Sequence, residues 1–219
     1  MENRVHGKGT VGKLLSNELG VVHISSGEIF RSYISKQQEI GKEIEKYVSQ
    51  GLLVPDELAI RLIEKRLQEK DCENGAILDG FPRTKSQAIA LDEFFKEQGK
   101  KVNIAVELDL SDQDIIDRIS KRITCPNKDC RAIYNIEFKP PRVEGICDLC
   151  GTKLVRREDD KEETVKQRLE TYHQISEKLI QYYKSQDILY TVKWNIHSDR
   201  TAEDIAYQVK EYLKKNQEK

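Results

Sequence analysis

Hydrophobic and polar positions follow two different periods along this chain, one helical and one extended. Ala59, Leu62 and Ile63 fall on one face of a helix, and Pro55 can begin that helix. The short apolar run of residues 76–78 instead indicates a strand buried in a parallel sheet. Further helices are predicted over residues 84–98, 112–122, 164–184 and around 205–213, and further strands over residues 102–110 and 188–194. This alternation predicts an α/β fold built on a parallel sheet.

Two stretches interrupt the alternation, and we interpret them as insertions. Residues 25–54 have a helical and polar pattern, whereas residues 121–160 are rich in Pro, Gly and Cys. The remaining residues, 1–24, 55–120 and 161–219, form the predicted core. No internal repeat or low-complexity segment accompanies them, so we expect one sizeable core with two inserted subdomains.

Composition and charge narrow the classes of function. The chain has 219 residues, with 37 Lys and Arg against 38 Asp and Glu, so its net charge of -1 provides no overall attraction to nucleic acid or to an anionic membrane. No apolar stretch approaches the roughly 20 residues that cross a bilayer, and the charged beginning lacks the apolar segment of a signal peptide. We therefore expect a soluble, cytoplasmic protein with no membrane partner and no nucleic-acid partner.

Four of the five cysteines form two close pairs, Cys125/Cys130 and Cys147/Cys150. This spacing can bring four thiolates into the tetrahedral arrangement that Zn2+ adopts in structural sites. Four cysteines leave no coordination position for water, so the zinc should stabilise residues 121–160 and take no part in chemistry. Two alternatives stay open: unligated buried cysteines, or a zinc ribbon that binds nucleic acid. The residues available to such a ribbon are Arg131, Tyr134, Lys139 and Arg142.

Two short motifs indicate phosphate chemistry. The first, LDGFPRT at residues 78–84, supplies a carboxylate, a flexible turn, a rigid proline and a guanidinium directly after a predicted strand. Ligands of open α/β sheets bind at the carboxyl ends of parallel strands, so Asp79 and Arg83 are placed to meet one. The second, GKGT at residues 7–10, precedes leucines at helical spacing and is typical of the end of a phosphate-binding loop. Together they predict two halves of one nucleotide site.

Four motifs, in this order and spacing, resemble the adenylate kinase family in its long bacterial form with a zinc-binding lid. They are GKGT at residues 7–10, HISSGE at 23–28 followed by Arg31, DGFPRT at 79–84, and REDD at 157–160 followed by EET at 162–164. The likeness extends from Gly7 to about Leu213. It implies a P-loop NTPase-type parallel sheet flanked by helices, in which residues 25–54 bind the nucleoside monophosphate and residues 121–160 form a lid over ATP. It also implies a monomer that catalyses the reversible, Mg2+-dependent reaction ATP + AMP = 2 ADP.

The resemblance also implies roles for individual residues. The expected catalytic residues are Lys8, Arg83, Arg122, Arg157, Arg168 and Asp79. The expected ATP contacts are Gly7, Lys8, Gly9, Thr10, Arg122, Ile133 and Tyr134. The expected AMP contacts are Ser26, Arg31, Leu52, Leu53, Val54, Gly80, Phe81, Pro82, Arg83, Gln87, Arg157 and Arg168. Arginine suits such sites because its planar fork donates two hydrogen bonds to one phosphate, and Asp79 suits Mg2+ held through water. Asp159 and Asp160 resemble the acidic pair that orients the lid arginines.

The beginning of the chain departs from the family pattern. The residues that precede Gly7 are Glu2, Asn3, Arg4, Val5 and His6. The family has further glycines there and an apolar strand before them. Without that strand its neighbours would lie unpaired beside a slot, at a cost on the order of several kcal/mol. We expect weak or no ATP turnover if Met1 is the true start, and we hypothesise that the working protein begins upstream. Two alternatives to an active adenylate kinase stay open: a non-catalytic nucleotide-binding remnant, or a kinase for another monophosphate such as UMP or CMP.

Overall fold

The computed structural model describes residues 8–137, 139–194 and 201–217. In chain order its elements are α1 Lys8–Leu19, β1 Val22–Ser25, α2 Ser26–Ser35, α3 Glu39–Val48, α4 Asp56–Leu67, β2 Ala76–Asp79, α5 Lys85–Glu97, β3 Ala105–Asp109, α6 Asp112–Ser120, β4 Arg122–Thr124, β5 Ile133–Asn135, α7 Glu162–Lys184, β6 Leu189–Lys193 and α8 Ala202–Gln217. Short 3-10 helices precede β2 and α7. The predicted alternation of helices and strands is confirmed, with ends that differ by a few residues.

Local sequence explains where the helices around the strand ends begin. The helix α4 starts directly after Pro55 and carries Asp56 and Glu57 in its first turn, where the helix dipole favours negative charge. The helix α5 starts after Thr84, whose hydroxyl accepts a hydrogen bond from the backbone N–H of Gln87 at 3.1 Å. The same hydroxyl donates to Asp56 Oδ2 at 2.8 Å. This bond ties the two helix starts together beside the end of β2.

The parallel strands form two separate pairs. The strand β1 pairs with β2, with Ser25 opposite Asp79, and β3 pairs with β6, with Asp109 opposite Lys193. Within the described ranges no strand bonds to the other edge of β2 or β3, and residues of both strands line one continuous cleft of about 2240 Å³. Residues 76–78 are half-buried, and not buried as predicted, because they face this cleft. The expected α/β fold with parallel strands flanked by helices is therefore present, and among the described residues its parallel strands form two pairs that flank a cleft.

Two apolar cores support the two strand pairs. The first packs β1 and β2 against the helices α2 to α5 and includes Ile44 and Ile63, which are fully buried. The second packs α1 and β6 against α8 around Ile205 and Val209. The helix α1 contacts β1, β2 and α8, so it joins the two halves of the molecule. Among the described residues of the segment 121–160, the apolar cluster is small.

Two features of the fold differ from the expectation. The helix α6 ends at Ser120, so Arg122 is the first residue of β4 and not part of the predicted helix. The reason is tertiary, since β4 pairs in antiparallel register with β5, with Arg122 opposite Asn135. The strand β1, which the pattern did not predict, has four residues and is too short to show a period. None of the helices in the described ranges combines the length and the apolar composition that a membrane crossing requires.

Candidate active site

The floor of the cleft lies where β2 ends and α1 begins. Asp79, the last residue of β2, is buried, and its Oδ1 lies 3.1 Å from Nζ of Lys8. Its Oδ2 lies 3.6 Å from Nε2 of His23. Burial by itself would raise the pKa of Asp79, but the charge of Lys8 and the contact with His23 outweigh it and hold that pKa well below its usual range. The Lys8 side chain stays 58% exposed, so its ammonium group faces the cleft.

The turn after β2 directs Arg83 into the same cleft. Gly80 has a φ of +79°, and a Cβ there would lie 2.7 Å from Oγ of Ser26 and 3.2 Å from Nη2 of Arg83. Glycine alone meets both constraints without strain. The Gly80 carbonyl accepts hydrogen bonds from Ser26 Oγ at 2.8 Å and from Arg83 Nε at 2.9 Å, so it holds both side chains. Phe81 and Pro82, joined by a cis peptide bond, also line the cleft.

The N-terminus of α1 supplies the other half of the predicted phosphate site. Lys8, Gly9 and Thr10 form its first turn and line the cleft. A Cβ on Gly9 would lie 3.1 Å from Asp79 Oδ2, so glycine permits the close approach of α1 to β2. Backbone N–H groups in a first turn have no partner within the helix and attract anions. The expected contact Gly7 lies outside the described residues.

Arginines from separate parts of the chain line the cleft. They are Arg31 of α2, Arg83, Arg122 of β4, Arg157 and Arg168 of α7. Burial lowers the pKa of Arg83 to about 10, with repulsion from Arg168 as the next cause. Burial also lowers the pKa of Arg157 to about 10, and repulsion from Arg122 and Arg31 adds to this effect. Guanidinium groups that repel one another in a shared cleft favour a polyanionic ligand. The structure thus brings together the five arginines that the resemblance selected.

Two neighbouring carboxylates orient these arginines. Asp160, with a side chain 3% exposed, forms a bidentate pair with Arg122 that includes a 2.9 Å hydrogen bond from Nε. Asp159 Oδ2 lies 3.5 Å from Nη1 of Arg168 and 3.9 Å from Nη1 of Arg31. Both carboxylates belong to the 3-10 helix that precedes α7. This geometry fits the orienting role that the resemblance implied for the acidic pair.

A smaller pocket of about 70 Å³ opens beside Arg31 and Arg83. The expected AMP contacts that also line it are Leu52, Leu53, Val54, Gly80, Phe81, Gln87 and Arg168. Gln87 is 3% exposed, and its amide oxygen accepts a 2.8 Å hydrogen bond from the backbone N–H of Arg83 while its NH2 donates to Asp56 at 2.8 Å. An amide NH2 has two donors, so one remains for a ligand. Ser26 already donates its hydroxyl to the turn after β2.

The lid side of the cleft includes both residues that were expected at the ATP base. Ile133 is 37% exposed and Tyr134 is 4% exposed, and both line the cleft. The Tyr134 hydroxyl accepts a 2.8 Å hydrogen bond from the backbone N–H of Asp148, so this residue also supports the lid, and its contact with the ATP base stays a prediction. The motifs did not select Arg118, whose guanidinium lies 4.4 Å from the ring centre of Trp194. Both residues line the cleft, and only their tertiary contact reveals them.

The four predicted metal ligands meet at one point in the lid. The sulfur atoms of Cys125, Cys130, Cys147 and Cys150 lie within 4.8 Å of one another. The sulfurs of Cys125 and Cys150 are 3.4 Å apart, which exceeds a disulfide bond and approaches the roughly 3.8 Å between sulfurs of a tetrahedral zinc–thiolate site. The cluster could therefore hold a metal ion.

A cationic cleft at the ends of parallel strands, beside a helix N-terminus, is typical of proteins that bind nucleotides. Residues 4–188 match the family model described as adenylate kinase. The chain is 45% identical over 199 residues to an adenylate kinase of Syntrophomonas wolfei. The aligned residues are 91% of this chain and 92% of that relative. It is also 45% identical over 208 residues to an adenylate kinase of Caldicellulosiruptor saccharolyticus, with 95% of this chain and 93% of that relative aligned. An adenylate kinase of Clostridium acetobutylicum is 45% identical over 199 residues, with 91% of this chain and 92% of that relative aligned. The chain therefore belongs to the adenylate kinase family of nucleoside monophosphate kinases.

Proposed function

We propose that this protein catalyses the reversible, Mg2+-dependent reaction ATP + AMP = 2 ADP. One observation carries the proposal: the Lys8 ammonium and the guanidinium groups of the five arginines line one cleft that also holds the buried carboxylate of Asp79. Phosphoryl transfer depends on alignment and on stabilisation of negative charge more than on covalent help from the protein. The groups in this cleft supply both requirements.

The ATP side of the reaction would use Lys8, the first turn of α1 and two lid arginines. Lys8 and the backbone N–H groups of that turn would bind the β- and γ-phosphates. Arg122 and Arg157 would contact the phosphoryl group as it moves. Asp160 holds Arg122 through Nε and Nη2, which leaves Nη1 for a phosphate oxygen. A guanidinium that is already oriented needs no rearrangement at the moment of transfer, which lowers the barrier.

The AMP side would use Arg31, Arg83 and Arg168. A phosphate would compete with Asp159 for Arg31 and Arg168, since Asp159 now lies within 4 Å of both. The base would enter the smaller pocket, whose walls include apolar side chains, and the remaining Gln87 N–H would donate to the base edge. Selection among bases would depend on the shape of this pocket more than on one hydrogen bond.

Two metal ions form part of the proposal. Asp79 fits Mg2+ because its carboxylate is ionised and lies beside Lys8 on the floor of the cleft. It would hold Mg2+ through water, since this ion dehydrates reluctantly, and the ion would neutralise phosphate charge. The four-cysteine cluster fits Zn2+ in a closed structural site. Zinc would stabilise the lid, whose apolar cluster is small among the described residues.

We also propose that the chain acts as a monomer with three functional parts. Residues 1–24, 55–120 and 161–219 would form the core, residues 25–54 the monophosphate-binding subdomain, and residues 121–160 the lid. This division is supported by the cleft, which is lined by side chains from all three parts. Closure of both inserted segments would expel water, and this exclusion would prevent hydrolysis of ATP.

A coupled assay tests the proposal with purified protein, ATP, Mg2+ and each of AMP, UMP and CMP in turn. Turnover with AMP supports an adenylate kinase. Turnover with only UMP or CMP would identify a kinase for another monophosphate. Nucleotide binding without any turnover would identify a non-catalytic remnant.

A matched pair of variants tests the role of the arginines. The R83K variant should lose about 10- to 100-fold in kcat/KM, because lysine keeps the charge but loses the planar pair of hydrogen bonds to one phosphate. The R61K variant changes an exposed residue of α4 in the same way and should leave kcat/KM unchanged. Equal effects of the two substitutions would contradict the proposed role of Arg83.

A further inference from the structure

The loop of the first cysteine pair, residues 125–131, contains a residue in an unusual backbone conformation. We call this loop the knuckle. Arg131 follows Cys130 directly and has a φ of +48°, a left-handed conformation that is strained for residues other than glycine. The knuckle holds it there, because the backbone N–H groups of Cys130 and Arg131 both donate to the carbonyl of Asn127. An arginine at a position suited to glycine suggests that its side chain has a specific task.

The side chain of Arg131 reaches out of the lid to α2. Its Nη1 donates a 2.7 Å hydrogen bond to Oε2 of Glu28, 103 residues away in the sequence. Its Nε donates to the carbonyl of Lys128 at 2.8 Å, which fixes the direction of the guanidinium. The Arg131 and Glu28 side chains are 45% and 28% exposed, and both line the cleft. The ion pair therefore bridges the lid and α2 at the rim of the cleft.

The position of Glu28 connects this bridge to the phosphate site. Glu28 lies in the first turn of α2, and Arg31 follows one turn later. Burial lowers the pKa of Arg31, and the charges of Asp159 and Glu28 oppose that lowering, so Glu28 lies within electrostatic range of the Arg31 guanidinium. A contact that anchors Glu28 to the lid therefore also restricts where α2 can present Arg31.

We propose that the Arg131–Glu28 pair is a latch that holds the lid against α2, and that Arg131 is thereby a positioning residue for phosphoryl transfer. Arg131 acts through Glu28 and α2, and it does not itself touch the reacting phosphates. The task of the latch in phosphoryl transfer rests on the proposed kinase function, whereas the contact itself is present without nucleotides. The latch couples the two inserted segments. A nucleotide that closes the first segment therefore favours binding of the other nucleotide to the second segment.

The contact is tested by a double-mutant cycle on urea unfolding of the nucleotide-free, zinc-loaded protein. The R131G variant removes the guanidinium and relieves the backbone strain, so the knuckle folds at least as well as before. The E28Q variant removes the charge and keeps the shape. The two substitutions should be non-additive, with a coupling of about 2- to 5-fold in the unfolding equilibrium constant, as for partly exposed ion pairs.

Asp187 provides the matched control. It is charged, exposed and at a φ of +56°, and it lies in the turn between α7 and β6. The D187G variant therefore removes a charge and relieves backbone strain as R131G does, but away from the lid. Its effect should add to that of E28Q without coupling.

The consequence is tested by calorimetric titration with AMP, in the presence and absence of a non-hydrolysable ATP analogue. In the wild-type protein the analogue should tighten AMP binding. That gain should fall by about 2- to 5-fold in R131G and in E28Q and should be unchanged in D187G. The charge-swapped double variant E28R/R131E should recover the part of this gain in AMP affinity that each single charge reversal loses.

Two results would overturn the latch. One is additivity of R131G and E28Q in unfolding, whether or not the protein is an active kinase. The other is an effect of the ATP analogue on AMP affinity that stays unchanged in both variants. Coupling between R131G and E28Q in the double-mutant cycle, together with no turnover of any monophosphate by the wild-type protein, would instead overturn the proposed function and support the latch.

Discussion

Gly80 is a position at which one added methyl group should harm the site. Its φ of +79° lies in the left-handed region, and a Cβ there would approach Ser26 Oγ to 2.7 Å and Arg83 Nη2 to 3.2 Å. Neither neighbour moves freely, because both donate hydrogen bonds to the Gly80 carbonyl. The G80A substitution should therefore strain the backbone and displace two side chains of the proposed AMP site.

The expected loss of stability has two parts. A left-handed backbone costs alanine about 1–2 kcal/mol. An extra methyl group in a packed site costs about 1–3 kcal/mol. The free energy of unfolding should thus fall by about 2–5 kcal/mol, a large share of the roughly 5–15 kcal/mol of a typical domain. A displacement of about 1 Å at positioning groups costs about 100-fold in rate, so kcat/KM should fall on that order.

Urea unfolding, with a control at Gly99, separates the two parts. Gly99 has a φ of +67°, but no atom lies within 4 Å of the place where its Cβ would be. The G99A variant should therefore lose only the backbone part, about 1–2 kcal/mol. Adding S26A to G80A removes the closest clashing atom. This double variant should be more stable than the sum of the single effects predicts, by about 1 kcal/mol.

Equal losses of stability in G80A and G99A would refute this reasoning, because the close approaches around Gly80 would then carry no cost. A G80A protein with unchanged kcat/KM would refute the second step, in which the turn positions Arg83.

The acidic residues and the cysteine cluster provide three further tests. The D160N variant should lose about 1.5–3 kcal/mol of stability and about 10-fold in kcat/KM, because an amide replaces the buried carboxylate that holds Arg122. The control variant E158Q changes a side chain that is 89% exposed, and it should alter neither stability nor kcat/KM. Asp79 has a lowered pKa in the folded protein, so its stabilising effect is complete above its unfolded pKa of about 4 and is lost as pH falls toward the folded value. The stability advantage of wild type over D79N in urea unfolding should therefore shrink from about pH 5 to about pH 3, and a constant difference would contradict the ion pair. Chelation should release one zinc per chain and raise hydrogen exchange throughout residues 121–160 but not in the core helices, and unchanged exchange would argue against a structural metal.

The elements of the fold could be predicted where their causes are local. The helix α4 depends on apolar spacing and on Pro55, and the strand β2 on a short apolar run, so both follow from a few neighbouring residues. The arrangement of the strands could not be predicted in this way. Pairing of β1 with β2, and of β3 with β6, depends on segments that are distant in the chain, and the cleft between the pairs is a property of all four strands.

The candidate site shows the same division between local and distant causes. The motif with Asp79 and Arg83 and the spacing of the cysteines could be recognised because the chemistry is encoded in adjacent residues. The pairing of Arg122 with Asp160 joins residues 38 positions apart, and no local pattern indicates which carboxylate an arginine will meet.

By itself the sequence determined the α/β alternation, the phosphate motifs and the set of four cysteines, since these depend on periodicity and short spacing along the chain. The tertiary structure decided that Arg122 leaves its helix for β4, that Tyr134 packs inside the lid, and that Arg131 reaches Glu28. Those outcomes depend on which surfaces are buried together and which charges then face each other, and both are set only when the whole chain has folded.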